Sequence, residues 1–126
     1  MKQWIILIVA GTILFLGGMF EITYLEKTSK YLLTDVSYSK QYINNENIEL
    51  AKKHYGELEY TWKSLRDSWG IFIDHDEVGG MDETLLAYKS YLDKDDIEES
   101  YVKICELERM IKHIVEKQEV KIGNVF

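Results

Sequence analysis

The sequence contains no proline and a single cysteine, and between Lys2 and Glu21 it carries no charged side chain. Each absence excludes something. Proline presets φ in tight turns, so a chain without it is poorly suited to turn-rich β structure. An interior proline costs a helix about 3 kcal/mol or more, so long helices gain most from its absence. With Cys105 alone no intramolecular disulfide can form, and no cysteine follows the apolar segment to accept a lipid. Set at helical spacing among apolar residues, Cys105 is expected as a small core residue. Basic residues are also short: 15 Lys and Arg face 22 Asp and Glu, for a net charge of −7. Lys2 is the only charge before Glu21, so the acidic excess lies entirely beyond residue 20. Such a domain repels nucleic acid and anionic headgroups alike, and no nucleic-acid partner is expected. At 126 residues there is room for one domain.

What is present begins with Trp4 to Phe20, WIILIVAGTILFLGGMF. At 1.5 Å per residue this helix would span about 26 Å, slightly short of a ~30 Å hydrocarbon core. Gln3, the interfacial Trp4 and a helix continuing past Glu21 can supply the remainder. Leu, Ile, Val and Phe dominate it and favour insertion by roughly 0.3–0.6 kcal/mol each. A cleaved signal peptide would end in a small-x-small site, whereas GGMFEITY offers bulky Phe20, Ile22 and Tyr24. A soluble helix would be amphipathic, and this one is apolar all round. Residues 1–20 are therefore read as a transmembrane anchor and 21–126 as an acidic helical domain. Lys2 on one side and Lys27 and Lys30 on the other give little orientation bias. A cytoplasmic N-terminus with the domain outside the cell membrane is the expected topology.

Beyond the anchor, Ile48, Ala51, Tyr55, Leu58, Trp62, Leu65, Trp69 and Phe72 follow an unbroken 3-4 spacing, which predicts a long helix with one apolar seam. Asn44, Asn45 and Asn47 mark the turn before it. Upstream, Ile22, Leu25, Leu32, Val36 and Ile43 hold the same grid, with Ser29 and Ser39 in two of its places and Tyr24, Tyr31 and Tyr38 alongside. No breaker other than Gly17-Gly18 separates this stretch from the anchor. IDHDEVGG reads as a loop, and Asp82 as the cap of a short third helix burying Leu85, Tyr88 and Leu92. Asp96 and Glu99 have the form of a capping box for a fourth helix to about Lys117, with Ile97, Tyr101, Ile104, Leu107, Ile111 and Ile114 inward. The expected fold is all-α: an N-terminal transmembrane helix continuing into an antiparallel three- to four-helix bundle. Helix lengths bring the IDHDEVGG loop, His113 and the terminal Phe126 to the membrane-proximal end.

Three stretches carry a resemblance: WGIFIDHDEVGGMDETL from Trp69, the Tyr91-Leu92 pair, and HIVEKQEVKIGNVF from His113. The chain resembles the single-span bacterial family catalogued as domain of unknown function 4363, along nearly its whole length. It departs from that family's pattern at Val115, where proline is usual, which implies a straighter last helix. The resemblance supports the anchor and the helical fold and implies no activity.

Site-like chemistry concentrates at Asp74, His75, Asp76 and Glu77. With His113 brought to the same level, Asp74, His75 and Glu77 could serve a divalent ion or a pH response. The plainer reading is turn chemistry, with the acids satisfying backbone donors and the histidines bracing the bundle. A calcium loop is excluded, since Val78 and Leu85 stand where its fifth and twelfth ligands belong. No P-loop, nucleophile elbow, dinucleotide fingerprint or HExxH pair is present, so neither a catalytic residue nor a cofactor is expected. His54 reads as a surface residue off the seam. The aromatic stripe reads as core, although Trp69 beside the acidic segment would suit a protein-binding anchor. The function expected is a non-enzymatic, membrane-anchored interaction or accessory domain whose partner is another membrane or membrane-surface protein. The alternative is an ion- or pH-responsive site at the membrane-proximal end.

Overall fold

In the computed structural model, which describes residues 1–125, the chain is four helices: α1 (Lys2–Asn44), α2 (Ile48–Phe72), α3 (His75–Asp93) and α4 (Ile97–Val125). They run alternately up and down, and each packs on its sequence neighbours, with α4 closing against α1. The seam between α2 and α3 is the loosest of the four.

The core follows the seam read from sequence. Leu25, Leu32, Val36 and Ile43 of α1 meet Ala51, Leu58, Trp62 and Trp69 of α2, Val78, Met81, Leu85, Tyr88 and Leu92 of α3, and Ile104, Leu107, Ile111 and Ile114 of α4. Ser29 and Ser39 are buried in their grid places, and Ser39 returns its hydroxyl to the Asp35 carbonyl. Such i−4 bonding is how a hydroxyl is tolerated inside a helix pair. Asn47 caps α2 by accepting from Leu50 N–H, and Asp96 caps α4 by accepting from Glu99 N–H. Tyr31 and Tyr38 do not widen the buried stripe: both are exposed, and only Tyr24 packs inward. Cys105 is half-buried at the bundle's edge instead of in its core.

Four further expectations are corrected. IDHDEVGG is not a loop: only Ile73 and Asp74 connect α2 to α3, and the helix runs through both glycines. Asp74, extended at ψ 146, starts it by accepting Glu77 and Val78 N–H at its carbonyl, and Asp76 and Glu77 favour the positive end of the helix dipole. Val78 and Met81 then bury on the core side, which offsets the weak helix propensity of Gly79 and Gly80. Gly80 has a packing reason as well, since a Cβ there would stand 3.0 Å from Met110 Cε across the α3–α4 contact. Asp82 is consequently no cap; it sits mid-helix, facing α2. The last helix does not stop near Lys117 but continues to Val125, so no separate tail exists among the described residues. His54 is buried. The docking expected of Phe126 falls outside the described residues.

The first half of α1 is different from everything else. It is the one helix among the described residues long and apolar enough to cross a membrane, and no residue of its most apolar 18-residue window is buried. Gly17 interrupts nothing, and the same helix runs on into the core at Leu25. The end of the bundle next to the apolar half of α1 then gathers the α2–α3 connection and α4 around Lys117, as the helix lengths require.

The helical reading of the double glycine has a direct test. Gly79 has nothing within 4 Å of an added Cβ and no positive φ, so Gly79→Ala should stabilise the fold by about 0.5–1 kcal/mol in a chemical melt followed by circular dichroism. A loop glycine of the type the sequence suggested would give destabilisation instead.

Candidate functional site

At the end of the bundle nearest the apolar half of α1 the acids already have a cation. Lys117 donates to Asp74 at 3.2 Å and to Glu77 at 2.9 Å, and these bonds raise the lysine's pKa. His75 and His113 are both exposed. Among the described residues, Asp74, His75, Glu77 and His113 contribute no group of three donor atoms close enough to share an ion. Trp69 is fully buried, so it is not a free anchor for a partner: its Nε1 donates to Thr28 Oγ1 at 2.9 Å and its ring meets Trp62 edge-on at 5.9 Å. Lys117 of α4 thus meets the start of α3 at Asp74 and Glu77, while the Trp69 ring is taken up by the core. Nearby, Glu119 is raised by the hydrogen-bonded Glu26 carboxyl, an acid pair on the α1–α4 seam.

Among the described residues, the group of ligand-type side chains close enough to share an ion lies higher, where α2 leaves its first turns against α1. His54 is only 9 % exposed. Its Nε2 faces the Asp35 carbonyl at 3.0 Å, and its Nδ1 faces Glu57 Oε2 at 3.2 Å. Asp35 Oδ1 stands 3.8 Å from Nε2, while Oδ2 accepts from Thr61 Oγ1 at 2.7 Å. The rings of Tyr38 and Tyr42 close on the imidazole edge-on, each 5.7 Å away. Asp35, His54 and Glu57 each present one donor atom within 4.8 Å of the other two. The sequence carried a partial signal, the His54–Glu57 spacing that puts both on one helix face.

Beside this cluster runs a groove of about 550 Å³ between α1 and α2, lined by Tyr31, Thr34, Asp35, Tyr60, Thr61 and Leu65. Tyr31 and Tyr60 are exposed on its rims, 57 % and 75 % respectively. Asp35 and Thr61 belong to both the groove and the cluster. On the other side of α2, the loose α2–α3 seam is bridged by Asp82, which accepts from Trp62 Nε1 at 2.8 Å and pairs with Arg66 at 2.8 Å. That site is internally matched in charge, and its residues have bracing partners.

The chain matches the family described as Domain of unknown function (DUF4363) over residues 19–125, which leaves the apolar half of α1 outside the matched span. No curated protein and no solved structure matches it.

The two roles considered for Trp69 separate experimentally. As a core residue bonded to Thr28, its replacement in Trp69→Ala should cost about 3–5 kcal/mol of stability. An interface anchor would instead leave the melt unchanged and weaken a complex.

Proposed function

The chain belongs to the DUF4363 family, and from that premise we propose that it is a membrane-anchored, non-enzymatic helical domain that holds another membrane or membrane-surface protein. One observation carries the reading: an apolar half-helix with none of its surface buried, continuous with a helix of the bundle core. Exposed apolar surface on that scale requires an apolar environment, and a bilayer supplies it. Anchoring confines the bundle to the membrane plane, where a partner sharing that plane meets it at high effective concentration. The acidic domain disfavours nucleic acid and anionic headgroups as the thing bound. A protein fits better, and the α1–α2 face offers what protein interfaces concentrate: exposed tyrosines at the rims of a groove that combines Leu65 with hydroxyl groups. We place the N-terminus in the cytoplasm and the bundle outside, because acidic domains translocate readily.

Two measurements test this reading. A photo-crosslinking amino acid at Tyr60 in native membranes should give a discrete adduct, and the same label at Leu86, exposed on the α3 side, should not. Monomer alone from both positions, or recovery of the chain from the soluble fraction without its first 20 residues, would sink the proposal. For topology, Lys94→Cys in a Cys105→Ser background should react with a membrane-impermeant maleimide added to intact cells. Labelling only after lysis would reverse the orientation.

A further inference from the structure

We propose that Asp35, His54 and Glu57 form a binding site for one divalent transition-metal ion of the zinc class, a site that adjoins the protein-docking groove and shares Asp35 with it. The argument starts from the imidazole. A carbonyl oxygen can only accept, so the contact from His54 Nε2 to the Asp35 carbonyl fixes the hydrogen on Nε2. The neutral ring then presents the bare Nδ1 lone pair to the Glu57 carboxylate at 3.2 Å. Two lone pairs do not attract each other. Something positive belongs between them, either a second proton on the ring or a metal ion.

The surroundings favour the metal. The other ion pairs that bridge two helices all use Lys or Arg: Lys40 with Glu108, Arg66 with Asp82, Lys117 with Asp74 and Glu77. Among the described residues, neither Asp35 nor Glu57 has such a partner; their only ion-pair contact is His54. Two carboxylates on one buried histidine leave a local negative excess that a single proton does not balance and a divalent ion does. One donor atom from each residue lies within 4.8 Å of the others. Bonds of about 2.1 Å in a tetrahedral site set donor atoms about 3.4 Å apart, so a modest contraction closes the site. Glu57 Oε2 already stands 3.2 Å from Nδ1, and with 73 % of its side chain exposed Glu57 is free to shift toward Asp35 Oδ1 as the ion binds.

The outer contacts match those of working metal sites as well. A ligating histidine ordinarily donates its other ring N–H to a backbone carbonyl or carboxylate, which fixes the tautomer. His54 does this with Asp35. Thr61 holds Asp35 Oδ2, and Oδ1, 3.8 Å from Nε2, is the carboxylate oxygen left to turn toward an ion on Nδ1. Imidazole with two carboxylates suits zinc and its neighbours, not calcium.

The test is a calorimetric titration of the full chain in detergent, purified without a polyhistidine tag, using Zn²⁺ alone as the probe. One ion per chain should bind saturably. His54→Gln should abolish binding, and Glu57→Gln should weaken it by about tenfold or more. Glu57 lies at the surface, so its variant keeps the test decisive should His54→Gln fail to fold. The double variant His75→Gln with His113→Gln should bind like the wild type. Absence of saturable binding would overturn the proposal. So would binding that survives both His54→Gln and Glu57→Gln, or that disappears in the His75/His113 double variant. A ¹⁵N spectrum showing both His54 nitrogens protonated at pH 7.5 with Zn²⁺ present would assign the charge to a proton and also overturn it.

Discussion

The structure depends on α1 not breaking where its chemistry changes. Between Phe20 and Glu21 the chain passes from an apolar segment to an acidic one, yet the helix runs on from Lys2 to Asn44, about 64 Å at 1.5 Å per residue. Below the change, Thr12 returns its hydroxyl to the Ile8 carbonyl, so the one hydroxyl in the apolar stretch is satisfied within the helix. Above it, Tyr24 fastens the helix to the end of α2: it stacks on Phe20, packs against Phe72 at 5.9 Å and hydrogen-bonds Ser68 at 2.6 Å. One tyrosine thus couples the foot of the bundle to the apolar half-helix.

The bundle's register is held by a few polar contacts inside an apolar core. Trp69 ties α2 to α1 through Thr28, and Trp62 ties α2 to α3 through Asp82. The tryptophans lie perpendicular to each other at 88°, so both indole N–H groups reach outward to different neighbours. Sliding α2 by one turn would orphan both donors, a desolvation penalty of about 1–3 kcal/mol apiece. Farther up, the buried Tyr88 hydroxyl points toward Ser39 without reaching hydrogen-bond geometry, and burial pushes its pKa up to about 12. Glu77 Oε2, Ser100 Oγ and Gln118 Oε1 are also buried and unpartnered. The core is therefore well specified around the tryptophans and less so toward its ends.

Much of this architecture was legible in the sequence, because a bundle writes its core at 3-4 spacing. Every seam position from Ile48 to Phe72 is buried or packed against the core, and both helix caps, Asn47 and Asp96, were readable from side-chain type and spacing. What failed did so for identifiable reasons. The double glycine suggested a loop because local propensity favours one, but burial of Val78 and Met81 outweighs it. The seam placed Trp69 in the core, where its ring turns inward to Thr28, and the second role considered for it, an anchor beside the acidic segment, finds no exposed surface there. His54 was misplaced because a seam describes one face, and a helix in a four-helix bundle is covered on its flanks too. Its flank packs on α1, on the far side of the Asn45–Asn47 turn from Asp35. Sequence spacing alone does not reveal such a pair; the antiparallel return of α2 along α1 does.

That return also explains why the two histidine-bearing regions differ. At the foot of the bundle, α4 brings Lys117 to Asp74 and Glu77, so charge is balanced by a residue fixed in the chain. Beside His54 the facing helix contributes a carboxylate and two tyrosine rings, none of which can supply positive charge. The imbalance is thus a product of register, not of the overall acidity. Asp35 then has a double position: one oxygen is held by Thr61 at the groove wall, and the other faces the imidazole. Whatever cation settles on the second oxygen acts on a residue that lines the groove. A bound cation and an occupant of the groove would share Asp35 and Thr61, and by linkage each would change the other's affinity by the same factor. The coupling needs no long pathway, because the two sites have a side chain in common.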